Sequence, residues 1–251
     1  MSRCRFLFYF LTLTCLWSSP LTCVTAVFKA TSKEVKPYLL PEKHPLKPTL
    51  DAIFKGKHVL KNEQSFAEAG FITIHVQPMS HIIVASHPLL PGYLLKLYLD
   101  NEKRMKDGIP GWKWFVKRCH GVKNVQNLIK RKKLHHFVAP LKWIYPIPEL
   151  KDKTAQPAIL VVTDMELVSH EMSYQAWANA TKEQVNELFC ILNHGFASTY
   201  LPGNLPYTKH GKFACIDTEH PKRVLKLKSV KKYLSPDMQA YWETLTRSRK
   251  R

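Results

Sequence analysis

Between residues 71 and 99 the chain carries three short runs of branched and apolar residues separated by two tight turn sequences. F-I-T-I-H-V at 71–76 alternates with the period of a half-buried strand, H-I-I-V-A-S fills 81–86, and Y-L-L-K-L-Y-L fills 93–99. The connections, Gln77-Pro78-Met79-Ser80 and P-L-L-P-G at 88–92, are rich in turn formers and far too short for a crossover helix. Neighbouring runs must therefore pair antiparallel. The spacing predicts a three-stranded meander whose last strand holds one charge, Lys96, among Leu94, Leu95, Leu97 and Tyr98.

The rest of the chain has to cover this sheet. Trp112, Phe115, Val116, Cys119, Val122, Val125 and Ile129 fall at mostly helical spacing, which predicts a helix over 112–133 that Gly121 can divide. Its basic end, Lys130-Arg131-Lys132-Lys133, suits a helix C-terminus, or alternatively a polyanion-binding patch. Residues 137–148 and 158–163 read as two further strands, the second (A-I-L-V-V-T) apolar enough to be central. Thr181-Lys182-Glu183-Gln184 fits a capping box ahead of an apolar stripe at Val185, Leu188, Phe189 and Leu192. Ser235-Pro236-Asp237 opens a last helix carrying Met238, Tyr241, Trp242 and Leu245. Residues 27–48 read as an extended, Pro- and Lys-rich lead-in, 50–55 as a short helix after Thr49, and 166–172 as irregular. The expected fold class is α+β, with a sheet and helix over 49–165 and a reduced helical part with a basic tail over 166–251.

Residues 1–26 read as an address. Arg3 and Arg5 precede an apolar run at 6–17, then Ser18-Ser19-Pro20 and the small-residue site Val24-Thr25-Ala26, the order of a secretory signal peptide. Left uncleaved, the segment is a membrane anchor; cleaved, it yields an exported chain with no later transmembrane span. Cys119, Cys190 and Cys215 then remain, an odd number that permits one disulfide or none. Cys190 and His194 lie four residues apart with no second pair at ligand spacing, so a buried thiol and a helix-end imidazole explain them more simply than zinc does. Asn179-Ala180-Thr181 is a glycosylation sequon. The 38 Lys and Arg against 19 Asp and Glu give +19, an excess that favours an acidic protein or another polyanion as partner: nucleic acid, a phosphorylated ligand or an acidic membrane surface. Neither Gly-x-Ser-x-Gly nor His-Glu-x-x-His occurs, so those hydrolase classes have no support.

The most suggestive stretch is 199–219. Leu201-Pro202-Gly203 delivers Asn204, Lys209-His210-Gly211 turns the chain, and K-F-A-C-I at 212–216 reads as a short strand ending on Asp217. Asn204 and Asp217 are thereby placed as two oxygen ligands for a hard cation, or more simply as a turn Asn and a strand-ending cap. Lys96 can likewise be a lysine whose stem lies on a half-buried strand.

Taken together, a Lys on a third strand, a helix, two strands, a capped helix and then Asn–turn–strand–Asp make residues 65–245 resemble the protein-kinase-like superfamily in a shortened form. The resemblance implies a small sheet lobe and a reduced helical lobe, with Lys96 at nucleotide phosphates, Asn204 and Asp217 as metal ligands, and ATP with Mg²⁺ as cofactors. It implies that V-V-T-D-M-E at 161–166 enters a hinge beside the adenine. The departures from the family pattern are as specific. Thr199 stands where the family's catalytic Asp belongs, residues 65–70 hold one Gly rather than a Gly-rich loop, and 112–133 contain no acid to pair with Lys96. The resemblance thus implies a pseudokinase-type binding or scaffolding protein. An active phosphotransferase with an unrecognised base is one alternative, and a secreted basic protein that binds nucleic acid or anionic surfaces is another.

Overall fold

Branched residues at alternate positions form strands β1 (Ile72–Val76), β2 (Ile83–Ser86) and β3 (Tyr93–Leu97), the meander expected from the sequence. The computed structural model describes residues 28–78, 80–100, 109–148, 156–219 and 226–248. The signal-like segment 1–26 therefore lies outside the described residues, as does the tail beyond 248. After β3 the chain forms the 22-residue helix α3 (Gly111–Lys132), the two-residue strand β4 (Phe137–Val138), and then β5 (Lys142–Pro146) and β6 (Ala158–Thr163). The sheet order is β1-β2-β3-β6-β5 with every neighbouring pair antiparallel. Side chains alternate across the two faces of a strand, and β6 shows it directly. Ile159 and Val161 pack with α1 (Lys47–Phe54) and α2 (Glu63–Glu68), through Leu50, Phe54 and Phe66. Leu160 and Val162 pack on the other side with Trp112, Phe115, Val116 and Cys119 of α3.

Two expectations change here. The 28–46 segment is not a loose lead-in: Val35 is fully buried, a 3-10 turn spans Lys36–Tyr38, and the Leu40 N–H donates to the Ile144 carbonyl at 2.9 Å. Its few apolar anchors follow no period, so periodicity does not reveal them. Helix α1 also begins earlier than expected, with Pro48 in its first turn.

The second half builds around α5 (Lys182–Asn193), where the capping box is complete: Thr181 Oγ1 accepts from the Gln184 N–H and Gln184 Oε1 accepts from the Thr181 N–H. At its other end the His194 Nδ1 donates to the Cys190 carbonyl at 2.7 Å, the helix-end role rather than a metal role. Helix α4 (His170–Ala178), capped by the Ser169 hydroxyl, replaces the irregular stretch expected there. Only Ser173 and Trp177 of α4 are buried while Met172 and Tyr174 are exposed, so no apolar stripe marks it. A four-residue turn α6 (Leu201–Asn204), the strand β7 (Phe213–Ala214), a 3-10 helix (Leu227–Tyr233) and α7 (Pro236–Ser248) complete the element order. Trp177 stacks on Phe213 with centroids 3.6 Å apart and donates its indole N–H to the Leu205 carbonyl at 3.0 Å, which seats β7 on the core. The fold is mixed α+β, and among the described residues no helix is long and apolar enough to cross a membrane.

Candidate functional site

The backbone around strand β7 is hydrogen-bonded on both sides. The Phe213 and Cys215 N–H groups donate to the His136 and Val138 carbonyls at 2.8 Å, in a parallel pairing with β4. The Ala214 and Ile216 N–H groups donate the other way, to Pro206 at 2.8 Å and Asn204 at 3.2 Å. The Asn204–Ile216 bond brings the α6 turn beside the residue that precedes Asp217, so the two ends of the expected hairpin-like unit do converge. Both side chains are half-buried.

The segment after β7 then docks against α3. A Cβ built on Gly121 would lie 1.7 Å from the Thr218 carbonyl oxygen, so the two backbones meet at a distance only glycine permits. Gly121 does not divide α3; it costs about 1 kcal/mol of helix preference relative to Ala and admits residues 217–219. Thr218 Oγ1 donates to the Arg118 carbonyl at 3.0 Å, and the Arg118 side chain grips Glu219 Oε2 through Nε at 2.8 Å and Nη2 at 2.6 Å. Arg118 and Glu219 are only 11% and 10% exposed in their side chains. Arg118 Nη1 is buried with no hydrogen-bond partner.

Two lysines approach from the sheet. Cross-strand partners share a face, and Lys96 on β3 pairs with Leu160 while Lys142 on β5 pairs with Val162. Both lysines therefore lie on the face that α3 covers, flanking β6. Lys142 is 6% exposed, and its ammonium donates to the Ile216 carbonyl at 2.9 Å and to Thr218 Oγ1 at 3.1 Å. Lys96 is half-buried and makes no hydrogen bond or ion pair among the described residues. Burial first and Arg118 second lower the Lys96 ammonium, Asp217 and Glu219 oppose them, and the net brings it down to about 8. Burial pulls Lys142 down to about 7, with Lys96 and Arg118 adding to the effect. The same surroundings keep Cys119 and Cys215 as inert thiols, both pushed up to about 12 by burial.

These shifts predict a pH dependence of stability. Unfolded, Lys142 keeps its proton up to the ordinary 10.5; folded, it releases it near 7. Between those values the unfolded chain binds more protons, so stability rises with pH across the window, and Lys96 adds to it above about 8. Below about 7 the contribution is flat, with the full cost of the buried charge present. Between pH 7 and 9, denaturant unfolding of wild type should gain about 2–3 kcal/mol relative to Lys142→Met, two units at ~1.4 kcal/mol each. Parallel curves for the two proteins would show that Lys142 is not desolvated.

Of the residues expected from sequence, Asp217 contributes to holding the Lys96 proton against burial, and Asn204 adjoins the residue before Asp217 through the backbone. The sequence patterns do not single out Lys142, Arg118 or Glu219. Lys142 had a signal equal to that of Lys96, a lone charge in the otherwise apolar run L-K-W-I-Y. A divalent ion fits the donors poorly. Asp217 and the neutral Asn204 stand among Lys96, Lys142 and Arg118, Glu219 is taken by Arg118, and no described cluster of three His, Cys, Asp or Glu could hold a metal. A phosphate fits better, because among the described residues Lys96 offers an ammonium without a partner and Arg118 a buried N–H without one. Compared with known proteins, the chain matches no family model and no curated protein sequence, so its site is defined by its own residues alone.

Proposed function

We propose that this chain is an exported, kinase-like binding or scaffolding protein of the pseudokinase type that holds a nucleotide or a related phosphorylated ligand without transferring phosphate. The observation that carries the reading is that Lys96 and Lys142 flank β6 on one face of the sheet while the Lys142 ammonium holds the segment that carries Asp217, on a chain whose element order runs meander, helix, two strands, capped helix and Asn–turn–strand–Asp. Val84 and Leu94, both half-buried, share the Lys96 face by register, and so does the exposed Ile72. Together they offer apolar contact to a planar base beside an ammonium for its phosphates. The lack of transfer is supported by Thr199, which stands where the family's proton acceptor would be. Export is supported by the order of charged, apolar and small residues over 1–26.

A thermal-shift titration with ATP tests the reading. At a hundredfold excess over Kd, ligand adds about 2.7 kcal/mol, which for a chain of this size raises Tm by roughly 5–10 °C. Lys96→Ala should weaken binding tenfold or more, and no phosphate should be released or transferred. If no nucleotide or polyphosphate shifts the wild type, the reading fails.

An acidic partner docking on the surface is a second, compatible role. It is supported by Lys130, Arg131, Lys132 and Lys133, all exposed at the end of α3, and by the exposed Lys226, Lys228 and Lys232. Its mark is binding that weakens steeply with salt.

A further inference from the structure

We propose that this site receives phosphate through the protein's own cations rather than through a bridging divalent ion, with Asp217 acting as a counter-charge and not as a metal ligand. The proposal rests on the reading that the Lys96 side of the sheet is a nucleotide or polyphosphate site, and it names how that ligand is held. Among the described residues, five charged side chains act on one another between β3, β5, α3 and the segment after β7: Lys96, Lys142 and Arg118 against Asp217 and Glu219. Glu219 is consumed by two contacts from Arg118. Lys142 is anchored by a carbonyl and a hydroxyl, both neutral, so two of its three donors are engaged while neither contact supplies a counter-charge. Lys96 has no partner among the described residues.

Among the described residues, Asp217 is thus the one carboxylate left to face the Lys96 ammonium and, below about pH 7, that of Lys142 as well. A divalent cation held by Asp217 would be repelled by both at the low effective dielectric of a half-buried site. A phosphate group meets the opposite field, and the buried, unpartnered Nη1 of Arg118 is a donor of the kind that an anion satisfies. The geometry holds these cations in place beforehand. Gly121 lets the 217–219 segment close on α3, and Lys142 ties that segment to β5.

The deciding measurement is calorimetric titration of the whole chain with ATP and with inorganic tripolyphosphate, in EDTA and in excess Mg²⁺. Binding in EDTA should be at least as tight as in Mg²⁺. Asp217→Asn should tighten ATP binding in EDTA by roughly 3- to 10-fold, since it removes the repelling carboxylate, and Lys142→Met should weaken it about tenfold or more. Should Lys142→Met not fold, the half-buried Asp217 decides by sign alone: a metal ligand loses affinity on becoming Asn, a counter-charge gains it. Binding that requires Mg²⁺, or that Asp217→Asn abolishes, overturns the proposal and leaves the nucleotide reading standing. Absence of binding under both conditions overturns the two together.

Discussion

Gly121→Ala is expected to lower the melting temperature by roughly 6–12 °C, although alanine is the better helix former. The added methyl would sit 1.7 Å from the Thr218 carbonyl oxygen, a backbone atom that no rotamer change can move aside. Relief requires the segment after β7 to lift from α3. That in turn breaks the Thr218–Arg118 bond and loosens the Arg118–Glu219 pair. Overpacking of this kind costs about 1–3 kcal/mol. Losing the buried bonds brings the net to about 3 kcal/mol after the ~1 kcal/mol gained in helix preference, at ~2–4 °C per kcal/mol for this size. The proposed nucleotide binding should fall with stability, because Lys142 is anchored to the displaced segment. A variant as stable as wild type, or more so, would show that residues 217–219 do not rest on α3.

Arg118→Met should be the most damaging single change in the ion cluster. It leaves the Glu219 carboxylate buried without its guanidinium, and removing one partner of a buried pair costs about 3–5 kcal/mol. The diagnostic is the double variant. Arg118→Met with Glu219→Met replaces the pair by apolar side chains of similar volume, and that exchange is often neutral or better. At least half of the lost stability should return, measured by denaturant unfolding at pH 7 and read as a coupling energy. A double variant no more stable than Arg118→Met would mean that Glu219 is held by other contacts and that the pair does not fasten α3 to the segment after β7.

What the chain says locally, it says clearly. The meander follows from turn sequences too short to allow any other pairing, and α5 is announced by a capping box whose two hydrogen bonds both form. Helix α4 escapes such reading because its exposed Met172 and Tyr174 blur any stripe, and the 28–46 segment escapes because its anchors are aperiodic. Lys96 is legible as a lone charge in an apolar strand. Asn204 and Asp217 are legible as the two ends of one short unit.

The company these residues keep is another matter. Arg118 meets Glu219 across 101 positions and Lys142 meets Ile216 across 74, and an ion pair or a lysine–carbonyl bond leaves no trace in the residues beside either partner. Nor does a sequence distinguish a glycine that weakens a helix from one that admits another backbone. By itself the sequence determined the strongly positive charge, a sum over the chain, and the antiparallel meander, the capped helix and a lone lysine on an apolar strand, since each of these depends on neighbours a few positions away. Only the tertiary structure decided that two lysines on one face of the sheet and an arginine on the helix covering it stand against two carboxylates. The charge balance of a site is the sum of groups brought together by packing, and packing alone placed Gly121 where the chain could close on it.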